Sequence, residues 1–193
     1  MMVTRENLYT VEEFLAFTQL PEHADQRFEL FDGVIEEMPP SNPQNSHLAG
    51  LIITLLNNFV LPHNLGFVTV PDGGYQVAPN KMYQPDVAYI SRQRLPSLKN
   101  IGNVIPMAPD LAVEVVSPSE SSRKVTRKAQ GYLRGGTKLV WAVYPDEKEI
   151  DVYQLTADGE VSIKTIGADG ELDGIPALPG LKIALKAIFA AAE

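Results

Sequence analysis

Apolar residues recur along the chain at two spacings, and the switches between them mark out its elements. Thr10 followed by Glu13 has the form of a capping box, opening an amphipathic helix to about Gln19 with Val11, Phe14, Leu15 and Phe17 as its apolar set. Pro21 stops it. Residues Arg27 to Glu36 alternate as two short strands around Asp32-Gly33, a hairpin turn by composition. Pro39 to Ser46 reads as a loop, and His47 to Val60 returns to helical spacing through Leu48, Leu51, Ile52, Leu55, Leu56 and Phe59. Three short apolar segments follow, Gly66–Val70, Gly74–Ala78 and Val87–Ile90, each bounded by Pro, Gly or Asn and read as strands.

Arg92 to Pro109 carries three prolines and no clear period, which predicts a surface loop. Leu111–Val116 is a strand apolar on both faces apart from one acid. Ser117-Pro118-Ser119 turns the chain into a helix from about Ser121 to Leu133, ended by Gly135-Gly136, and Leu139–Tyr144 is another buried strand. Strand, helix and strand in that order predict a right-handed crossover with parallel strands. A late hairpin, Ile150–Leu155 with Val161–Ile166, turns at Ala157-Asp158-Gly159, and Ile175 to Glu193 reads as apolar structure packed on the rest. The sum is an α/β fold, a mixed sheet flanked by helices, and 193 residues without a convincing linker or repeat predict one domain over 1–193.

Composition adds mainly exclusions. With 45% hydrophobic and 21% charged residues the chain is ordinary globular material. The absence of cysteine removes a disulfide scaffold, a thiolate zinc site and a cysteine nucleophile together. The first twenty residues are broken by acids and polar groups, and no apolar run approaches membrane-spanning length, so a cytoplasmic protein without a leader or membrane anchor is expected. The net charge of −8 disfavours a nucleic-acid partner at first sight. Its distribution points the other way, because Val87 to Lys138 holds nine basic residues against three acids. Such a segment is either a local electrostatic footprint or a set of solvated helix and loop charges.

Glu114 stands in the middle of an otherwise apolar strand, where an ionised carboxylate costs several kcal/mol unless it is paired or binds a metal. Asp86 directly precedes the strand at Val87, a position that ordinary turn chemistry also explains. Two acids on neighbouring strands can bring oxygen ligands together, which suits Mg²⁺: few protein carboxylates, with water and substrate phosphate completing the octahedron. On the next helix Lys124 and Lys128 are spaced i, i+4, with Tyr132 one turn further on the same face. A lysine there either orients a metal-bound water and stabilises charge on a phosphate, or belongs to a solvated face.

Pro85-Asp86, then Glu114 within Ala112-Val113-Glu114-Val115-Val116-Ser117-Pro118-Ser119, then Lys128-Ala129-Gln130-Gly131-Tyr132 resemble the PD-(D/E)XK nuclease superfamily, in particular its bacterial restriction-endonuclease-like branch. Arg27 to Gly33, His47 and Trp141 to Pro145 extend the likeness over about residues 10 to 155. The resemblance implies a restriction-endonuclease-like fold in which Asp86 and Glu114 bind Mg²⁺ (or Mn²⁺) and Glu29 supplies an additional acid. It also implies that the superfamily lysine, which usually stands where this chain has Val116, has migrated to Lys128. His47 resembles a substrate-facing or supporting residue. Two departures bear on the site: relatives often carry Asp where Lys124 and Tyr144 stand here.

The leading expectation is a metal-dependent endonuclease acting on DNA, working as a homodimer. The competing one is a nucleic-acid-binding or assembly module that keeps the fold with a weakened site. Hydrolysis of small phosphorylated molecules is a third, but no P-loop, no GxGxxG after a strand and no Gly-x-Ser-x-Gly elbow supports a pocket of that kind.

Overall fold

A computed structural model describes residues 8–190. Residues 1–7 begin the stretch read as carrying no leader and residues 191–193 end the apolar C-terminal stretch; both lie outside the described residues. Along the chain run α1 (Val11–Thr18), β1 (Arg27–Phe31), β2 (Val34–Met38), α2 (Pro43–Val60), β3 (Gly66–Thr69), β4 (Gly74–Ala78), β5 (Lys81–Tyr83), β6 (Val87–Ser91) and β7 (Val104–Ile105). Then come β8 (Leu111–Val115), α3 (Ser122–Arg134), β9 (Leu139–Tyr144), β10 (Glu149–Leu155), β11 (Val161–Ile166), β12 (Glu171–Asp173), β13 (Lys182–Ala184) and α4 (Lys186–Phe189).

Six strands form the main sheet in the order β11-β10-β9-β8-β6-β3, and β8 and β9 are its parallel pair. Five more form a second sheet, β2-β1-β5-β4-β7. The expected crossover is present: α3 leaves the Val115 end of β8 and returns the chain to β9, whose Leu139 lies beside Leu111. Side chains along β8 alternate faces. Leu111, Val113 and Val115 join a core with Ile52 and Leu56 of α2, whereas Ala112 joins Val125, Ala129 and Tyr132 of α3. Glu114, two residues after Ala112, therefore faces α3.

The hairpin turn is as expected, with Asp32 at φ 53° and Gly33 at φ 83°, the left-handed pair that suits a two-residue turn. The capping box at Thr10 is also formed, its hydroxyl and the Glu13 carboxylate each accepting the other residue's backbone N–H. Two expectations need correction, and one strand was not expected. Helix α2 starts at Pro43, not His47, because the Asn42 side chain caps it and Pro43 fits the first turn, where no amide donor is needed. The stretch Arg92 to Pro109 contains β7, which exists because it pairs with β4 and has no periodic signal of its own. Strand β5, three residues long, escapes a pattern reading for the same reason.

Among the described residues no helix is long and apolar enough to cross a membrane.

Candidate active site

The segment Gln84-Pro85-Asp86 crosses between the sheets, leaving β5 of the smaller and entering β6 of the larger. Everything in the candidate site lies around this crossing. Glu29 comes from β1, beside β5. Its Oε1 accepts the Gln84 backbone N–H at 2.6 Å. Asp86 anchors to the next strand, its Oδ2 accepting the Val115 N–H at 2.7 Å. Glu114 comes from β8, and Lys128 and Tyr132 come from one face of α3.

Lys128 is the hub. Its Nζ lies 2.9 Å from Glu29 Oε1 and 2.9 Å from Glu114 Oε2, with the side chain only 6% exposed. Tyr132 donates its hydroxyl to the other oxygen, Glu114 Oε1, at 2.7 Å. The ammonium thus bridges two carboxylates from different sheets, and the tyrosine fixes the plane of one of them. A buried charge needs such a set of partners, since several kcal/mol of lost hydration have to be offset.

The electrostatics follow from this packing. Burial works against the Lys128 charge, but Glu114 and Glu29 outweigh it and raise the pKa, so the side chain stays an ammonium. Burial raises the Glu114 carboxyl above the ordinary carboxylate range. Lys128 opposes that shift, and the neighbouring Glu29 and Asp86 add to it. Asp86 is also raised, first by burial, against the pull of the Val115 N–H and Lys128. Tyr132 is raised well above its usual value by burial and by Glu114, and remains a donor.

A cavity of about 370 Å³ opens over two of these acids, lined by Asp86, Glu114, Gln84, Asn45, Ser121 and Lys124 among others. Glu114 is 17% exposed there, whereas Glu29, 2% exposed, turns away from the cavity toward Lys128. Lys124 lies on the wall with its Nζ 2.8 Å from Glu36 Oε2. His47 is exposed on α2 and is not among the lining residues.

Sequence reasoning missed Asn45, a buried residue of α2 whose Nδ2 donates to the Val115 carbonyl and to Ser117 Oγ, each at 3.2 Å. The Asn42-Pro43 pair, an N-cap followed by a first-turn proline, was the available signal. Gln84 was missed too; its position next to Pro85-Asp86 was the only hint.

Among the described residues no three His, Asp or Glu side chains converge as a metal cage. Mg²⁺ does not ask for one: one or two carboxylates suffice, with waters and substrate phosphate completing the octahedron. Of the residues lining the cavity, Asp86 and Glu114 offer hard carboxylate oxygens, and Gln84 has a buried Oε1 with no hydrogen-bond partner. That orphaned oxygen beside two carboxylates fits a hard divalent cation.

The tyrosine's share in holding the cluster can be measured. Tyr132→Phe keeps the ring in the core but leaves Glu114 short of a donor, and is expected to cost about 1–3 kcal/mol, the usual loss for a buried hydrogen bond to a charged group. Urea denaturation measures it; a variant as stable as wild type would mean that water or Lys128 alone satisfies Glu114.

No curated protein matches the chain. Among solved structures it is similar to one titled as a "putative nuclease belonging to DUF820" from Anabaena variabilis, at 24% identity and a TM-score of 0.81 over 95% of this chain and 99% of that one. This likeness establishes the restriction-endonuclease-like fold anticipated from the motifs. A family model matches residues 11–186, and the chain belongs to that family, Uma2, described as "Putative restriction endonuclease".

Proposed function

We propose that the protein is a divalent-metal-dependent nuclease that hydrolyses phosphodiester bonds of DNA. The observation that carries this reading is that Asp86 and Glu114, from separate elements, line one cavity between the sheets, with the Lys128 ammonium buried behind Glu114 at 2.9 Å.

Asp86 and Glu114 would hold Mg²⁺ or Mn²⁺. Such an ion, when bound, neutralises phosphate charge and acidifies a coordinated water. The rest is the work of the chain's own groups. Lys128, kept as an ammonium by two carboxylates, is a fixed positive charge suited to stabilising negative charge on a phosphate under attack. A lysine in that state cannot act as the general base. Glu29 positions it from the far side, and Tyr132 holds Glu114 so that one face of the carboxylate stays directed at the cavity. Asn45 ties the start of α2 to the end of β8 and fixes one wall. Cutting both strands of a duplex calls for two such sites, hence a two-fold pair of chains.

A second reading has an observation of its own. Both Glu114 oxygens are already engaged, by Lys128 and Tyr132, so the cluster is self-consistent as a buried ion pair. On that reading the molecule is a binding or assembly module.

Supercoiled plasmid incubated with purified protein in Mg²⁺ or Mn²⁺, and in chelator, separates the two. Nicking or linearisation that requires the metal is the expected result. Duplex binding without any cutting, by a folded protein, would move the assignment to the binding module.

A further inference from the structure

We infer that the solvent face of α3 is a track for the phosphate backbone of duplex DNA, leading away from the cavity at Asp86 and Glu114. The inference rests on the nuclease reading and adds to it where the substrate lies.

Arg123, Arg127, Gln130 and Arg134 are separated by four, three and four positions, the spacing that aligns side chains along one helix face. The three arginines are exposed, while Val125, Lys128, Ala129, Tyr132 and Leu133 make up the buried face. The helix contains five basic residues and no acid, in a chain whose net charge is −8. A helix face that is merely solvated usually mixes signs along its length; this one does not.

Arg123 and Arg134 have no ion pair among the described residues. Arg127 is held, its guanidinium 4.2 Å over the Phe31 ring and 3.6 Å from Asp32, yet its side chain remains 60% exposed. The stack fixes the direction in which it presents its donors. Ser122, Thr126 and Gln130 line a shallow groove with Arg123 and Arg127, adding the hydroxyl and amide donors that phosphates accept from. Arginine forks rather than lysines suit phosphate recognition, because they bind it in bidentate fashion.

Placement ties the stripe to the cavity. Ser121 and Lys124 wall the cavity at the start of α3, and the helix then runs back toward the beginning of β9. From Arg123 to Arg134 the stripe is about 16 Å long at ~1.5 Å per residue. That covers roughly five base-pair steps at ~3.4 Å each. A duplex with one phosphate at the cavity would therefore lay the following backbone along these arginines.

The test is binding of a labelled DNA duplex to the full chain, followed by fluorescence anisotropy without divalent metal across a NaCl series. For Arg123→Gln/Arg127→Gln/Arg134→Gln the slope of log affinity against log salt is expected to shrink by about 2, with Arg127 counting least because Asp32 competes for it. Arg123 and Arg134 are exposed and Arg127 is held only by Phe31 and Asp32 among the described residues, so the melting temperature of each variant, measured alongside, shows whether folding is at issue. The single variant Arg134→Gln, furthest from the cavity, should by itself lower the slope by about 1. Wild-type binding with an unchanged slope in the triple variant overturns the track and leaves the nuclease reading standing. An effect of Arg123→Gln with none from Arg134→Gln also overturns it, since contact would then stop at the cavity mouth. Wild type that binds no duplex at low salt overturns both.

Discussion

Replacing Lys128 by methionine is expected to abolish cleavage and to destabilise the fold by about 3–5 kcal/mol at neutral pH, the usual consequence of removing one partner from a buried ion pair. Methionine fills much of the aliphatic volume, so packing contributes little to the loss. The damage is electrostatic: Glu29 and Glu114 are left without the ammonium that lies 2.9 Å from each. This makes the defect pH-dependent, with a definite sign. Glu114 is already raised by burial, and loss of Lys128, which holds it down, raises it further. A carboxyl whose folded pKa lies above its unfolded one favours folding when protonated and opposes it once ionised. The variant should therefore regain stability as pH falls through that raised pKa, and lose it as pH rises. Urea midpoints at about pH 5 and pH 8 measure the difference, expected to be larger in the variant than in wild type. An equal loss at both values would show that the lysine matters through packing alone. Cleavage rescued by acid would conflict with the role proposed for it, because protonating Glu114 restores the fold without restoring the cation behind it.

The readability of this site from sequence varied with how local each signal was. Glu114 stood out because a single acid interrupts an apolar strand, and the crossover from β8 through α3 to β9 followed from strand, helix and glycine patterns within one stretch. Lys128 and Tyr132 could be placed on one helix face from spacing alone. What spacing does not contain is the other end of each contact. That Glu29 would meet Lys128 depends on β1 lying beside β5, and so on how two sheets come together through Gln84-Pro85-Asp86. Resemblance placed Glu29 among the acids of the site; the geometry places it behind the lysine, away from the cavity. The start of α2 was misread by four residues because its first turn is capped by side chains instead of marked by apolar residues. That shift kept His47 in view and left Asn45, which faces the site, unnoticed. Short strands such as β5 and β7 are created by their partners and leave little trace in the residues themselves.

For Asp86→Asn, activity and stability are expected to move in opposite directions. The amide oxygen of the variant can still accept the Val115 N–H that Asp86 Oδ2 accepts at 2.7 Å, so the crossing between the sheets keeps its anchor. Lost instead is a negative oxygen facing the cavity, and cleavage should fall roughly 10²- to 10³-fold or more, the range for removing one preorganised electrostatic contact. Stability follows from the raised pKa of Asp86, where burial outweighs the N–H and the lysine. An acid raised on folding contributes stability while protonated and withdraws it as pH rises past its folded pKa, so the neutral amide removes a penalty present at neutral and alkaline pH. The melting temperature of the variant at about pH 8 should equal or exceed that of wild type, with the advantage shrinking in acid. Metal binding by calorimetry gives a third, independent readout. Because Asp86 and Glu114 are both raised, a cation has to displace protons at acid pH, and its apparent affinity for wild type should climb with pH and then level off. The amide has no proton to release on metal binding, so the climb in the variant should be shallower as well as starting from weaker binding. A variant that is less stable than wild type yet still cuts would place Asp86 among the structural residues and move the catalytic acids elsewhere. Loss of cutting with stability intact is the outcome that ties the chemistry to this carboxylate.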